Sequence, residues 1–334
     1  MSTRMPHCRL AGRLTATMLA AIAMTLYASG GDAFAQDRDA NRNLFPRSLT
    51  GLELTEYYDS GREEPHYGPA IQRLPVRRLA AVYSDGVDAT LLVQFVMTDP
   101  ALTGLFPDAD HGALELAESA AGELERVDAG RMIVYQGVRA LDIGGTTEES
   151  LQLVASLGGH AAISMSTQLP SAVSPDRMLA ALSELDMAAF HAAADAATVG
   201  TRGLWRAVGL LPADVLGEAR TMVFIDSDGQ RADRGVSVMG GYGGDVVNPA
   251  VILHVASFAQ GTVTTATLRE RYGRAPSEEP NRTVGDRPLF YLHRGEFAGA
   301  VALFDGSVVL SLIPLAGQSP EVLADALTGV VGDE

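Results

Sequence analysis

RLAAVYSDG, residues 78–86, returns in altered form as TMVFIDSDG at residues 221–229. In both stretches an apolar run ends in Ser-Asp-Gly, which is typical of a strand that enters a tight turn. Three further pairs follow in the same order: RMIVY (131–135) with RPLFY (287–291), LGGHAAISMS (157–166) with FDGSVVLSLI (304–313), and SPDRMLAALSEL (174–185) with SPEVLADALTGV (319–330). Four weak similarities in one order indicate an internal duplication.

Each copy shows the pattern of strands joined by hairpins and followed by a helix. Asp85-Gly86 and Gly158-Gly159 separate runs of strand-forming residues, and each predicts a hairpin turn. Residues 113–127 are rich in Ala, Leu and Glu and predict a helix whose acidic residues face solvent. Ser174 and Ser319 each precede a proline and an acidic residue, the pattern of a helix N-cap. The predicted fold class is therefore α+β, with two tandem similar domains, each a largely antiparallel sheet of hairpins with helices covering one face.

The chain divides into five predicted segments. Residues 1–35 form a signal peptide, because a basic start and an apolar run precede Ala33-Phe34-Ala35. Residues 36–75 are a polar N-terminal arm, 76–190 the first α+β copy, 191–218 a partly helical connector, and 219–334 the second copy. The connector contains the single tryptophan, Trp205, which we expect to pack it against a domain. No membrane span is expected after cleavage of the signal peptide.

The composition excludes several chemistries. The single cysteine, Cys8, lies in the leader, so we expect no disulfide, thiolate catalysis or Cys-ligated metal. All 25 cationic residues are arginine, which excludes a Schiff-base lysine and a phosphate-loop lysine. The formal net charge of −16 argues against nucleic acid as a partner, because such binding requires basic residues that neutralise phosphates.

One motif suggests a metal site. GGYGGDVVN, residues 240–248, fits a nine-residue calcium pattern, but neither neighbouring nonapeptide matches it, and calcium takes about 6 to 8 oxygen ligands. Asp226, Asp228 and Asp233 could approach from a neighbouring turn. We therefore expect a plain loop that follows a strand and binds no metal.

The remaining candidates for chemistry are dispersed. The histidines outside the leader are His66, His111, His160, His191, His254 and His293, and their spacing contains no zinc motif. We expect His254 to be a hydrogen-bonded, neutral strand residue and His160 a solvated turn residue. Ser164 and Ser166 alternate with apolar residues, as on the outward face of a strand. The adjacent pairs Glu63-Glu64, Glu148-Glu149 and Glu278-Glu279 are interpreted as solvated loop charges.

The sequence predicts an exported, non-catalytic binding or interaction protein of the cell envelope, either periplasmic or secreted. Its partner would be a protein or a small molecule, bound at the cleft between the duplicated domains. No catalytic, metal or cofactor residue is assigned, and the ligand-binding residues are not identified. The alternative is an exported hydrolase with dispersed Asp, Glu and His residues. A third possibility is a structural or chaperone-like envelope factor whose arm at 36–75 engages a partner.

Overall fold

The computed structural model describes residues 41–332 except 62, 119–122, 130–131, 144–145, 201, 227–235, 246, 259–278, 285–286, 295–296, 305–307 and 315–317. The fold is mixed α+β, with mostly antiparallel strands and about six helices. Contacts group the chain into two compact units. The first comprises the chain up to Glu64, Val76–Thr98 and Ala109–Ala197, and the second comprises Pro65–Pro75, Asp99–Asp108 and the chain from Thr198 onward.

The first unit contains an antiparallel sheet and three helices. Its strands are β1 (Ser48–Leu49), β2 (Leu52–Asp59), β4 (Ile71–Ser84), β5 (Thr90–Met97), β6 (Glu125–Ala129), β7 (Met132–Ile143), β8 (Thr146–Ser156) and β9 (Ala161–Gln168). Strand β4 belongs to this unit from Val76 onward. The strand order is β2-β4-β5-β9-β8-β7-β6, and β1 forms a short hairpin with β2. The helices are α1 (Ala109–Leu116), α2 (Pro175–Glu184) and α3 (Met187–Asp195).

The main apolar core of the first unit lies on one face of this sheet. Alternate residues of β4, β5, β8 and β9 are buried there against α2 and α3, as the period-two pattern of a strand requires. Phe190 of α3 stands edge-on to Phe95 and to Phe45, with ring centroids 4.9 and 5.6 Å apart. Helix α1 contacts β8 and β9.

The second unit contains a sheet of similar construction. Its strands are β10 (Asp214–Val215), β11 (Glu218–Asp226), β12 (Val236–Tyr242), β13 (Val251–Ser257), β14 (Arg282–Val284), β15 (Arg287–Arg294), β16 (Phe297–Phe304) and β17 (Val308–Pro314). The antiparallel order is β11-β12-β13-β17-β16-β15-β14, and β10 forms a short hairpin with β11. Helix α4 (Arg202–Gly209) contacts β12 and β13, whereas α5 (Pro320–Gly332) contacts β15, β16 and β17.

Two further segments belong to the second unit. The start of β4 pairs in parallel with β11, with Ile71 opposite Val223 and Gln72 opposite Phe224. A short 3-10 helix, Pro100–Leu105, contacts α4 and is capped by Asp99.

Strand β3 (Glu64–Tyr67), together with β1 and β2, lies in the segment 36–75, for which the sequence predicts an arm.

Several local predictions are confirmed. The hairpin turn at Asp85-Gly86 joins β4 to β5, and the turn at Gly158-Gly159 joins β8 to β9. Ser174 caps α2, because its side chain accepts a hydrogen bond from the backbone N–H of Arg177 at 3.2 Å. Ser319 stands at the matching position before α5.

The helix predicted over residues 113–127 is wrong in its extent. Helix α1 covers Ala109–Leu116, and Glu125 already belongs to β6. Glu115, which we expected to face solvent, is buried, because α1 packs onto β8 and β9. Pairing with β7 outweighs the helix propensity of Glu125 and its neighbours.

The two sheets place the strands of three quoted pairs at corresponding positions. β7 and β15 hold the same place in the two strand orders, as do β9 and β17, and α2 and α5 are the helices that follow β9 and β17 along the chain. RLAAVYSDG and TMVFIDSDG do not lie in corresponding strands, because the first is part of β4 and the second is part of β11. In the two strand orders β11 corresponds to β2, and β12 corresponds to β4. The turn at residues 227–229 lies outside the described residues. No helix in the described part of the chain is long and apolar enough to cross a membrane.

Candidate functional site

GGYGGDVVN forms the end of a strand and a hairpin turn. Gly240, Gly241 and Tyr242 belong to β12, so the prediction that the whole stretch is a loop is wrong. The turn begins at Gly243, and Asp245 Oδ1 accepts hydrogen bonds from the backbone N–H groups of Val247 (2.9 Å) and Asn248 (2.7 Å). This carboxylate therefore closes the turn between β12 and β13.

The acidic residues considered as further calcium ligands do not form a site in the described part of the chain. Asp226 lies 3.5 Å from the guanidinium of Arg73, and Asp228 and Asp233 lie outside the described residues. Among the described residues there is no group of three or more His, Cys, Asp or Glu that could hold a metal ion.

The corresponding turn of the first unit uses an aspartate in the same way. Asp85 Oδ1 accepts from the N–H groups of Val87 (2.9 Å), Asp88 (3.2 Å) and Ala89 (3.1 Å). The bonds from Val87 and Ala89 lower the pKa of this carboxyl below its usual range. Beyond each aspartate, a valine projects into solvent: Val87 and Val247 are each 83% exposed. They are the most exposed large apolar side chains in the described residues.

His254 forms a polar pair on the second sheet. It lies in β13 as predicted, directly opposite Ser311 of β17, and its Nδ1 is 3.4 Å from the Ser311 hydroxyl. Ser311 is fully buried, so a substrate cannot reach its oxygen without a rearrangement of the sheet. A serine beside a histidine is the arrangement that activates a nucleophile, but here the serine is inaccessible.

Ser164 occupies the matching position on the first sheet. Its position opposite Val154 in β8 corresponds to that of Ser311 opposite Val301 in β16. Gln152 donates to the Ser164 hydroxyl at 3.5 Å and to the carbonyl of Ala117 at 3.3 Å. The prediction that Ser164 faces solvent is wrong, because α1 covers this face; Ser166, one step further along β9, is half-buried.

His160 is buried, so the prediction of a solvated turn residue is wrong. Its Nε2 lies 3.4 Å from Oδ1 of Asp195, the last residue of α3, and its Nδ1 lies 3.4 Å from the carbonyl of Gly158. Nε2 makes no hydrogen bond, so its contact with Asp195 is an ion pair only when His160 is protonated. The turn is enclosed by α1, because the backbone of Gly159 lies against Gly112 and Ala109.

The remaining candidates are distributed among different elements. His66 is buried in β3, whereas His111 in α1 and His191 in α3 are exposed. Glu148 and Glu149 lie in β8 and not in a loop, and Gln168 donates to Glu148 at 2.9 Å. Glu64 begins β3 and lies 3.8 Å from Arg78, and Glu279 is exposed. Trp205 donates to the carbonyl of Val199 at 3.1 Å within the predicted connector.

Two buried tyrosines with equivalent contacts were not singled out from the sequence. Tyr83 donates to the carbonyl of Pro46 at 3.1 Å, and Tyr242 donates to the carbonyl of Pro212 at 3.1 Å. In each case the proline lies five residues before a glycine with positive φ that closes a short hairpin, Gly51 or Gly217. This Pro-Gly spacing is the signal in the sequence that could have revealed the equivalence.

Arg220 was also missed. Its guanidinium donates to four carbonyl oxygens: those of Leu211 (3.1 Å), Pro212 (3.4 Å), Gly104 (2.9 Å) and Leu105 (3.0 Å). Burial lowers its pKa from the ordinary value, and the neighbouring Tyr242 partly opposes that shift. Arg220 thus joins the end of the 3-10 helix to the start of β10 within the second unit.

Comparison with known protein families, with curated proteins and with solved structures finds no match to this chain.

Proposed function

We propose that this protein is an exported binding module of the cell envelope, built from two copies of one ancestral domain, and that it contacts a protein partner through its hairpin tips. The observation that supports this proposal is the high exposure of two valines, Val87 and Val247, one at the tip of each hairpin. A single exposed valine is ordinary on a protein surface. Here the same exposure recurs at corresponding turns, and in each an aspartate carboxylate orders the backbone. An apolar contact on an ordered turn loses little conformational entropy on binding.

Four matched features support descent from one domain. The strand orders agree, and the hairpins β1-β2 and β10-β11 have the same two-residue loops with positive φ. The register shift between Leu54 and Glu56 recurs between Arg220 and Met222. The Tyr83 and Tyr242 bonds to proline carbonyls recur as well. Composition alone does not produce a bulge, a turn and a long-range hydrogen bond at equivalent positions.

Substitution of the exposed valines tests whether the β4-β5 and β12-β13 hairpin turns bind a partner. Val87→Ser and Val247→Ser, singly and together, should reduce crosslinking of a partner from native envelope extract, because each removes an exposed apolar contact. Val138→Ser is the matched control, since Val138 is 53% exposed but lies within β7. Capture that is unchanged in the double variant, or lost equally in the control, would contradict the proposal.

Export is proposed from the leader and should be tested separately. Fractionation of the native cells, followed by N-terminal sequencing, should recover a periplasmic or secreted chain that begins at Gln36. The acidic composition, with a net charge of −16, supports a partner other than nucleic acid. Recovery of the uncleaved chain in the cytosol would overturn this part of the proposal.

A hydrolase is the second candidate, and the pair His254 and Ser311 is the observation that favours it. Ser311→Ala should abolish any esterase or peptidase activity that the purified protein shows. Activity that persists in this variant would remove the pair from consideration. The burial of Ser311 makes the binding role the better supported of the two.

A further inference from the structure

The turn between β4 and β5 contains an Asp-Gly sequence, Asp85-Gly86, on an exposed hairpin tip. In such a sequence the glycine nitrogen can attack the aspartate Cγ. A new N–C bond forms, the carboxyl hydroxyl leaves as water with the amide proton, and a succinimide ring results. Uptake of one water then opens the ring at either carbonyl and leaves aspartate or isoaspartate. Glycine hinders the attack least because it has no side chain.

Hydrogen bonds engage both reacting groups in this turn. The Gly86 N–H donates to the Ser84 hydroxyl at 3.0 Å, so its nitrogen is directed at another acceptor. Asp85 Oδ1 accepts from three backbone N–H groups, which hold the carboxylate over the far side of the turn. The same bonds lower the pKa of Asp85, and the ionised carboxylate is a poor electrophile because it lacks a hydroxyl that can leave.

We propose that Asp85-Gly86 is a latent site of isoaspartate formation, and that the Ser84 hydroxyl together with the hydrogen bonds to Asp85 keeps it unreactive in the folded protein. Isomerisation would insert an extra methylene into the main chain and move the free carboxylate from the β-carbon to the α-carbon, away from the position in which it orders residues 87–89. The inference does not depend on the proposed function, since it concerns only the chemistry of this turn.

The second unit supplies a matched turn. Asp245 Oδ1 also accepts backbone hydrogen bonds, two where Asp85 Oδ1 accepts three, but Val246 follows Asp245, and the residue before it is Gly244 where Ser84 precedes Asp85. The valine side chain hinders attack by its own nitrogen. Val246→Gly therefore creates a further Asp-Gly sequence, in a hairpin turn where no serine precedes the aspartate.

The experiment ages the full protein at physiological temperature and neutral pH and measures isoaspartate at each position by fragmentation mass spectrometry. The chain has two other Asp-Gly sequences, Asp228-Gly229 and Asp305-Gly306, which serve as references within the same molecule. In denaturant all three should isomerise at similar rates. In the folded protein Asp85 should isomerise more slowly than it does in denaturant.

Two variants make the test specific to Ser84. Ser84→Ala should raise the folded-state rate at Asp85 about fivefold, the factor that corresponds to the net free energy of one hydrogen bond. In Val246→Gly, Asp245 should isomerise faster than Asp85 of the same molecule, and this comparison holds even if Ser84→Ala folds poorly. Equal rates at Asp85 in the folded and denatured protein, or slower reaction at Asp245 than at Asp85 in Val246→Gly, would overturn the proposal.

Discussion

Tyr83 donates a hydrogen bond of 3.1 Å to the carbonyl oxygen of Pro46, across 37 residues of sequence, and is itself fully buried. The bond attaches the segment before the β1-β2 hairpin to the end of β4. Tyr242 and Pro212 repeat this relationship in the second unit. In both, the phenol oxygen lies in a buried environment where an unmade hydrogen bond is costly.

Removal of either hydroxyl should destabilise the protein to a similar degree. Tyr83→Phe and Tyr242→Phe should each lower the free energy of unfolding by about 1 to 2 kcal/mol, because the carbonyl of Pro46 loses the tyrosine donor and the carbonyl of Pro212 keeps only the longer bond from Arg220. Urea denaturation measures this, and Tyr67→Phe is the control because Tyr67 is 56% exposed. A loss for Tyr67→Phe as large as that for the buried tyrosines would argue against the stated cause.

Alkaline pH should lower the stability of the protein through the ionisation of Tyr83 and Tyr242. Burial raises the pKa of Tyr83 and of Tyr242 above the ordinary value of 10.0, so the folded state retains the phenol proton more tightly than the unfolded state. Their contribution to stability is therefore fully present below the unfolded pKa and is lost as the pH rises through the folded pKa. The urea midpoint at about pH 11 should fall relative to about pH 8, on either side of the usual tyrosine pKa. The fall should be smaller in Tyr83→Phe.

Arg220 should contribute to the stability of the second unit, because its guanidinium donates hydrogen bonds to four carbonyl oxygens. Arg220→Ala should lower the free energy of unfolding by about 3 kcal/mol, the upper range for hydrogen bonds to a charged group. Arg220→Lys should recover only part of this loss, since an ammonium lacks the planar fork of donors. Arg126→Lys is the control, as the side chain of Arg126 is 65% exposed. Full recovery with lysine would show that charge alone matters.

The features that could be predicted from the sequence are those decided by near neighbours. Ser174 caps α2 through Arg177, three residues away, and Asp85-Gly86 forms its turn within five residues. His160 could not be recognised as buried, because α1 encloses its turn and lies about 50 residues earlier. Arg220 binds carbonyls more than 100 residues away. The conformation of Glu125 could not be predicted either, because it depends on pairing with β7 and not on local helix propensity.

Gly112 should tolerate no side chain. A Cβ placed there would lie 2.1 Å from the carbonyl oxygen of Gly159, which is backbone and cannot rotate away. Gly112→Ala should therefore destabilise the protein by about 2 to 3 kcal/mol, the usual cost of overpacking. Gly329→Ala is the matched helical control, because nothing lies within 4 Å of a Cβ at that position in α5. It should be neutral or stabilise by up to about 1 kcal/mol. Thermal or urea unfolding distinguishes the two, and similar losses would contradict the steric explanation.

Calcium should leave the melting temperature unchanged, because Asp245 uses its carboxylate to hold the N–H groups of Val247 and Asn248. Asp245→Ala should lower the stability by about 1 kcal/mol, as the loss of a capping side chain does, with or without calcium. Asp245→Asn retains a side-chain oxygen that can accept the same bonds and should lose less. A rise of several degrees in melting temperature on addition of calcium, absent in Asp245→Ala, would instead establish GGYGGDVVN as a metal site.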